Sequence, residues 1–359
     1  MDHILSYGNC QQLRHVTSYL EKDIEKESLM KKIRLGIIGA GGIVGRVMKD
    51  MHRLENVEIT AIAARDLTRA QAVAEQYHIP HAYGSYLELA QSSDVDLAYI
   101  ATLHNLHAEQ AMLMMRHGKH VICEKPMALS PIQVQKMIEC ARENGVFLME
   151  AMWTRFQPCV RQIMQLIQDG VIGEVRHVFG EFSWNAGVYD PASRLFDPAL
   201  AGGALLDLGV YPLMISMHIL GSEPETIQSL CRKTAEGVDM HTSVQMQYPN
   251  GAIAQFFCGM DASGNDYMQI FGTKGHIMVP SFWKPKGFTL CLNGQESQTY
   301  TFDYVDEPYH YEFDHAAMCI QQGLTESPLM PLDESLKTSR ICTKIRHDHG
   351  IVYPGEDGV

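Results

Sequence analysis

Two stretches of the sequence carry side chains that could move a proton. Asp207 and Tyr211 stand four residues apart after a glycine pair at 202–203, so one face of a helix would present both to the same cleft. Lys125 follows a predicted strand, in the sequence CEKPM at 123–127. Ligands bind at the carboxyl ends of parallel strands, so a lysine placed there would face the binding crevice.

A glycine-rich stretch, GAGGIVG at 39–45, directly follows the first predicted strand and opens a helix. Backbone amides in such a loop, aided by the helix dipole, can bind a pyrophosphate. The loop departs from the usual dinucleotide fingerprint at Val44, where a small residue would permit the closest contact between helix and strand. A glycine-rich turn without a ligand is the alternative. The predicted dinucleotide contacts are Gly39, Gly41, Gly42 and Ile43.

The end of the second predicted strand bears on which dinucleotide binds. An acidic residue there would bond the adenosine ribose, but this chain has Ala64 and Arg65 followed by Asp66. Arg65 can pair with a 2'-phosphate through two parallel hydrogen bonds, and Ala64 places no carboxylate against it. We therefore predict NADP(H) as the preferred cofactor, with NAD(H) possible. Alternatively, Arg65 is a solvated charge and Asp66 only caps the next helix.

The elements that position these residues alternate between strands and helices in the first half of the chain. Parallel neighbours cannot be joined by tight turns, so this alternation predicts a doubly wound parallel sheet of the Rossmann type. Strands are predicted at 34–38, 57–63, 97–101, 120–123 and 147–150, with helices from Gly42, Leu67 and Leu106.

The second half has a different pattern, in which strands follow one another through short turns. That pattern predicts an α+β domain with a mostly antiparallel open sheet. Its strands are predicted at 174–184, 242–248, 252–258, 267–271 and 276–279, with helices at 161–168 and 332–346. We predict three parts: a polar N-terminal extension at 1–29, a dinucleotide-binding domain at 30–152, and a substrate-binding and dimerisation domain at 153–359.

Several long strings resemble the glucose-fructose oxidoreductase and inositol dehydrogenase family over most of residues 32–345. They are CEKPM at 123–127, ALLDLGVY at 204–211, AARDL at 63–67, HAYGSY at 81–86 and FLMEAMWTRF at 147–156. The last three are closest to its subgroup of dimeric dihydrodiol and NADP-dependent xylose dehydrogenases. The resemblance implies a homodimer formed through the exposed face of the C-terminal sheet.

The resemblance also implies that Lys125 and Tyr211 form a catalytic pair, with Asp207 in the same site. Many family members have histidine at the position of Tyr211, whereas the dihydrodiol dehydrogenase subgroup resembles this chain in having tyrosine. Thr102, His104, Glu124 and Trp153 are implied to lie near the cofactor.

The predicted pair makes chemical sense for alcohol oxidation, which needs a base for the hydroxyl proton as hydride leaves. Lowering a phenol pKa of about 10 by about 3 units requires roughly 4 kcal/mol, which an ammonium about 4 Å away supplies at an effective dielectric near 20. We therefore predict that Tyr211 accepts the proton and that Lys125 stabilises the phenolate and developing alkoxide. Asp207 would orient Lys125 or a substrate hydroxyl, or serve as a buried structural partner.

Three further residues are candidates for the substrate pocket. Arg155 follows the strand that closes at Glu150, and a structural ion pair is its alternative role. Arg194 and Phe196 precede the glycine pair, and a loop charge beside an apolar anchor needs no function. His107 is equally compatible with a ligand role and a structural one.

The amino-acid composition limits which binding partners and which cellular compartment we expect for the protein. The net charge of −13 disfavours nucleic acid and anionic membranes, and no apolar run reaches about 18 residues. Nine cysteines are scattered singly, which fits a reducing cytoplasm. The paired histidines at 104/107 and 117/120 lack a matching carboxylate or cysteine set, so we predict no catalytic metal.

The sequence thus predicts an NAD(P)-dependent dehydrogenase acting on a hydroxyl-bearing carbon of a small polyhydroxylated substrate: a sugar, a polyol or a trans-dihydrodiol. Two alternatives stay open. An NAD-dependent glycosidase of the same fold would oxidise and re-reduce its sugar within one cycle. A non-catalytic cofactor-binding sensor would keep the glycine loop but would not need Lys125, Asp207 and Tyr211 together.

Overall fold

The first sheet has six parallel strands in the order β3-β2-β1-β4-β5-β6. The computed structural model describes residues 31–221, 223–304 and 307–357, so the extension predicted at 1–29 lies outside the described residues. The strand order is that of a Rossmann sheet, which confirms the predicted class. The strands are β1 (Ile33–Ile38), β2 (Val57–Ala63), β3 (His81–Tyr83), β4 (Leu97–Ile100), β5 (His120–Glu124) and β6 (Leu148–Ala151).

Helical crossovers join these strands. Asp66 caps the second helix by accepting a hydrogen bond from the Thr68 amide at 2.8 Å, and Ser130 caps the fifth, which begins with a proline. The helices are α1 (Gly42–Val47), α2 (Leu67–Tyr77), α3 (Tyr86–Gln91), α4 (His107–Arg116) and α5 (Pro131–Asn144). The order of the strands reverses between β1 and β4, which opens a crevice at their carboxyl ends.

The second sheet has eight strands in the order β14-β13-β12-β11-β7-β10-β9-β8. Only β7 and β10 pair in parallel, so the predicted mostly antiparallel sheet is confirmed. The strands are β7 (Val175–Ser183), β8 (Thr226–Lys233), β9 (Asp239–Gln247), β10 (Ile253–Gly259), β11 (Met268–Gly272), β12 (Gly275–Val279), β13 (Gly287–Leu292) and β14 (Gln298–Thr301).

Among the described residues, four α-helices accompany the second half of the chain: α6 (Pro158–Gln168), α7 (Val210–Leu220), α8 (His310–Gln321) and α9 (Leu332–Asp348). A π-helical turn, Leu205–Gly209, leads directly into α7. Within the described residues, one segment, Pro198–Leu220, is long and apolar enough to cross a membrane. Because 89% of its apolar window is buried inside the protein, it is a core helix.

The hydrophobic core is continuous between the two sheets. One cluster fills the space between the first sheet and α3, α4 and α5, and a larger one extends from the opposite face of that sheet to the second sheet. After β14 the chain returns to the first sheet, where α8 packs against β2 and β5 and α9 packs against α5 and β6. The predicted domain boundary near residue 152 stays a prediction.

Candidate active site

A cavity of about 750 Å³ lies at the carboxyl ends of β1, β2, β4 and β5, and its far wall comes from the second half of the chain. This is the crevice that the strand order predicts. The predicted site residues on its wall are Gly39, Gly41, Gly42, Ile43, Arg65, Thr102, His104, Glu124, Lys125, Trp153, Arg194, Asp207 and Tyr211.

The glycine loop can accept a close ligand. Gly39 has a φ of +115°, and an added Cβ would lie 2.6 Å from the Ala101 carbonyl oxygen, so only glycine fits there. At Gly41 and Gly42 a Cβ would meet nothing within 4 Å, so the backbone faces open cavity. Val44 is 2% exposed; the helix therefore packs a valine where the usual fingerprint has a smaller residue.

Two guanidinium groups border the far end of the cavity. Arg65 follows β2 and is exposed, and Arg69, one turn into α2, also lines the cavity and donates to the Ala40 carbonyl at 3.1 Å. The Tyr86 ring lies beside them on the same wall. Sequence reasoning missed Arg69, although its place in the first turn of the helix that follows β2 is the signal that could have found it.

The opposite end holds a cluster of charges, in which the Lys125 and Asp207 side chains are 12% and 15% exposed and that of Arg194 is 51% exposed. Lys125 Nζ donates to the Asp207 backbone carbonyl at 2.6 Å and to its Oδ1 at 3.1 Å, and Arg194 lies 3.5 Å from Oδ2. Burial alone would raise the pKa of Asp207, but Lys125 and Arg194 outweigh it and hold that pKa below its ordinary value. Burial opposes the charge of Lys125, yet Asp207 raises its pKa. Both groups are therefore ionised.

Tyr211 reaches this cluster from the second residue of α7, and Lys125 Nζ lies 5.1 Å from its ring centroid. The structure corrects the expected local geometry, because Asp207 lies in the π-helical turn rather than in one α-helix with Tyr211. Pro212 lies inside the continuous helical segment and lacks the amide that a regular helix would use there, and the π-helical turn directly precedes it. Turns of the π type are frequent at functional sites.

The expected lowering of the Tyr211 pKa is wrong for this structure. The side chain is 7% exposed, and burial raises the phenol pKa more than Lys125 lowers it. Two geometric causes account for the difference. The ammonium sits over the ring instead of at the phenol oxygen, and Asp207 takes its hydrogen bonds. Tyr211 is therefore a neutral phenol at neutral pH.

Three predicted cofactor residues lie at the carboxyl ends of β4 and β5. Thr102 Oγ1 donates to Gln110 at 2.6 Å, and Glu124 accepts a hydrogen bond from the Tyr99 hydroxyl. Burial raises the pKa of Glu124 and lowers that of His104 to about 3. His104 Nδ1 is buried without a hydrogen-bond partner among the described residues, so a neutral imidazole borders the cavity.

His107 also borders the cavity, but both ring nitrogens face backbone carbonyls. Nδ1 lies 2.9 Å from the Pro126 oxygen, and Nε2 lies 3.4 Å from that of Thr102. Burial lowers its pKa to about 4. These contacts favour the structural role for His107. Within the described residues, no group of three or more potential metal ligands comes together.

Two predicted substrate residues do not reach the cavity. The Arg155 side chain is 1% exposed and is held by Glu334, by His218 Nδ1 at 2.6 Å and by Met330 Sδ at 3.3 Å. Its position in a 3-10 turn after β6 directs it into the core, away from the crevice. Phe196 is 3% exposed, packs on Tyr189 at 4.9 Å, and borders a separate cavity beside β8 and β9.

Sequence reasoning also missed two residues on the wall. Arg46 follows the glycine loop on α1 and pairs with Glu307 at 2.6 and 3.1 Å. Tyr309 stacks on Trp153 with ring centroids 4.4 Å apart. Glu307 and Tyr309 lie just before α8, which returns to the first sheet from far along the chain. The local sequence around Tyr309 carries no motif that would have found it.

The cavity suits a dinucleotide on its own chemistry. It combines an open glycine loop, guanidinium groups at one end, and a buried phenol with an ion pair at the other.

Comparison with known families supports the same kind of site. Residues 33–152 match the GFO/IDH/MocA oxidoreductase family with its NAD-binding Rossmann fold, and residues 160–278 match the GFO/IDH/MocA C-terminal domain. The chain belongs to this family of NAD(P)-dependent oxidoreductases.

Curated relatives refine the comparison. The chain is similar to the trans-1,2-dihydrobenzene-1,2-diol dehydrogenases of Bos taurus, at 38% identity over 334 residues, and of Homo sapiens, at 35% over 337 residues. Each match covers 90% of this chain and 98% of the relative. These relatives match along almost their whole length.

Solved structures show the same architecture. An aldose-aldose oxidoreductase from Caulobacter crescentus, complexed with glycerol, has a TM-score of 0.81 at 26% identity, covering 89% of this chain and 98% of its own. A 3-ketoreductase from Actinomadura kijaniata, in complex with TDP-benzene and NADP, has a TM-score of 0.76 at 26% identity, covering 88% and 97%. Both are similar to this chain over both sheets.

Proposed function

We propose that this protein is an NADP-preferring dehydrogenase that interconverts a hydroxyl group and a carbonyl group on a small trans-dihydrodiol, sugar or cyclic polyol. The observation that carries the proposal is the shared cavity. One space of about 750 Å³ joins the glycine loop and Arg65 to the Lys125, Asp207 and Tyr211 cluster. A non-catalytic sensor would need only the first of these two parts.

The glycine loop would hold the pyrophosphate, and Thr102, His104, Glu124 and Trp153 border the region left for the nicotinamide. The dinucleotide supplies a carbon that accepts or returns a hydride. Arg65 and Arg69 support the preference for NADP(H), because a 2'-phosphate between two guanidinium groups gains charge-assisted hydrogen bonds. The 3-ketoreductase neighbour carries NADP in its structure.

Tyr211 is the proposed proton carrier. In the reducing direction its neutral phenol donates a proton to the substrate carbonyl oxygen. In the oxidising direction it must first lose that proton and then accept one from the substrate hydroxyl. Lys125 is held in place by Asp207 and lies over the phenol ring, where its charge stabilises the phenolate and the alkoxide.

The substrate class rests on the relatives and on the cavity. Dihydrodiol dehydrogenases match 90% of the chain at 35–38% identity, and the structural neighbour from Caulobacter crescentus is an aldose-aldose oxidoreductase. The reactive end combines the Trp153 ring with the charges of Asp207 and Arg194. Charged hydrogen-bonding groups beside an apolar wall suit a small substrate with adjacent hydroxyls.

The test is a substrate screen with purified protein. Trans-dihydrodiols, aldoses and cyclic polyols are each incubated with NADP+ or NAD+, and cofactor reduction is followed by absorbance. We expect net NADPH formation with at least one class, with kcat/KM for NADP+ at least about tenfold above that for NAD+. Cofactor binding without reduction would support a sensor, and hydrolysis of an added aryl glycoside without net NADPH would support a glycosidase.

We also propose a cytoplasmic homodimer that uses the outward face of the second sheet. The resemblance to the dihydrodiol dehydrogenase subgroup supports the dimer, and Leu230 on β8 and Ile253 on β10 are apolar residues of the second sheet that are 78% and 41% exposed. The eight cysteines in the described residues are free thiols, which persist in a reducing compartment. Light scattering that gave a monomer mass at micromolar concentration would contradict the dimer.

A further inference from the structure

The indole of Trp153 has a specific relationship with the phenol of Tyr211. Trp153 Nε1 donates a hydrogen bond to the Tyr211 hydroxyl oxygen at 3.1 Å. The two side chains are 2% and 7% exposed, so water competes little for either group. An indole has a single donor and no acceptor, which fixes the direction of this bond.

The neighbours of Trp153 hold that donor in place. Its ring stacks on Tyr309 at 4.4 Å with an interplanar angle of 26°, and meets the Trp283 ring edge-on at 5.8 Å. Trp283 is itself fixed, because its Nε1 donates to Asp266 Oδ2 at 3.0 Å. The indole therefore packs between two rings and cannot follow the phenol freely.

The hydrogen bond from Trp153 limits the directions in which the Tyr211 hydroxyl hydrogen can point. A tyrosine hydroxyl carries one hydrogen and accepts through its oxygen. Since the Trp153 N–H occupies the oxygen from one side, the hydroxyl hydrogen must point elsewhere, and the cavity borders Tyr211. When the proton leaves, the same N–H becomes a hydrogen bond to an anion, which is stronger than one to a neutral oxygen.

We propose that Trp153 is a positioning residue that aims the Tyr211 hydroxyl and stabilises its phenolate. This role differs from contact with a cofactor and deepens the proposed function on which it rests. Burial raises the pKa of Tyr211, and the Trp153 hydrogen bond acts with Lys125 in the opposite direction. Because Lys125 is bonded to Asp207, it stabilises the Tyr211 phenolate only in part. The hydrogen bond from Trp153 supplies further stabilisation.

A direct test places 3,5-difluorotyrosine at position 211 and follows its ionisation by absorbance. An ordinary tyrosine has a pKa of about 10, and fluorination makes the phenol more acidic, so the labelled residue is distinguished from unmodified tyrosine. Replacing Trp153 by Phe, or by benzothienylalanine, which keeps the ring shape without the N–H, should raise the midpoint by about one pH unit or more. An unchanged midpoint in both variants would overturn the proposal.

Phe182→Leu is the matched control, because Phe182 meets the Tyr211 ring edge-on at a centroid distance of 5.4 Å and has no N–H to donate. Its midpoint should stay where it is in the parent protein, and an equal rise there would assign the effect to packing and overturn the proposal. The titration needs no turnover, so it stands apart from the substrate screen. A protein without dehydrogenase activity would refute the proposed function and leave this hydrogen bond measurable.

Kinetics provide the second readout once a substrate is known. Trp153→Phe should slow alcohol oxidation about tenfold at neutral pH and recover at alkaline pH, where the phenolate forms without help. In a Tyr211→Phe background the same change should cause no further loss. A loss of equal size at every pH, or one that persists without the Tyr211 hydroxyl, would contradict the positioning role.

Discussion

Lys125 donates hydrogen bonds to two oxygens of Asp207, the backbone carbonyl at 2.6 Å and the carboxylate at 3.1 Å. The two side chains are only 12% and 15% exposed. The pair joins the end of β5 to the π-helical turn before α7, so it fixes the two halves of the cavity against each other. The same contact places the Lys125 ammonium beside Tyr211, the proposed proton carrier.

This ion pair should contribute to stability. Removing one partner of a buried pair leaves an uncompensated charge, so Asp207→Asn should lower the free energy of unfolding by about 3 kcal/mol near neutral pH. The folded pKa of Asp207 is depressed, so its contribution is fully present above the unfolded pKa of about 3.9 and is lost as pH falls further. Urea unfolding of the parent protein and of Asp207→Asn at several pH values measures this contribution. A difference in unfolding free energy that persisted undiminished in strong acid would show that the ion pair is not its source.

Cofactor selection should depend on the guanidinium groups at the end of β2. Arg65→Ala and Arg69→Ala should each weaken NADP(H) binding by about tenfold or more and leave NAD(H) binding nearly unchanged, because only NADP carries the 2'-phosphate. Fluorescence titration with both cofactors gives the dissociation constants. The exposed Arg142, on α5, provides a matched control as Arg142→Ala. Equal losses of affinity for NADP(H) and NAD(H) in one of the variants would show that the arginine replaced there does not recognise the 2'-phosphate.

The pH dependence of turnover should follow the raised pKa of Tyr211. Oxidation needs the phenolate, so its rate should climb with pH through the alkaline range, by up to about tenfold per unit, and reduction should stay flat near neutrality. His104 and His107, with pKa values of about 3 and 4, do not change charge there. A plateau in oxidation already reached at pH about 7 would show a lowered phenol pKa instead.

Arg155 should matter for stability and not for substrate. It is held by Glu334, His218 and Met330, so Arg155→Leu should cost about 3 kcal/mol of unfolding free energy. KM measured below the melting temperature should change less than about twofold, because no uniform binding contact is removed. A large rise in KM with unchanged stability would show that Arg155 contributes to substrate binding.

Much of the first half was predictable from the sequence. The strands there are short apolar runs buried on both faces, and the glycine loop sits between the first strand and its helix, so pattern and motif point to the same fold. The short strand His81–Tyr83 was missed, since three partly exposed residues leave too little pattern. In the second sheet, β8, β13 and β14 were missed. The residues of β8 and β14 are mostly polar and exposed or half-buried, whereas β13 alternates buried Phe288 and Leu290 with half-buried neighbours, a pattern that could have found it.

The site was harder to predict wherever it depended on distant contacts. Arg155 follows a strand end, as ligand-binding residues do, but a buried partner on α9 turns it into the core. Tyr309 reaches the cavity only because α8 folds back onto the first sheet. The Tyr211 pKa depends on the balance between burial and a cation already bound to Asp207. Such balances arise from tertiary packing, and local patterns do not encode them.

The most direct test of the account is the turnover of Tyr211→Phe with a substrate found in the screen. Phenylalanine keeps the ring beneath Lys125 and removes only the hydroxyl group, so NADP(H) affinity should stay within about twofold of the parent protein. The rate of NADPH formation should fall by about 10² to 10⁴. Near-normal turnover with intact cofactor binding would show that Tyr211 does not carry the proton.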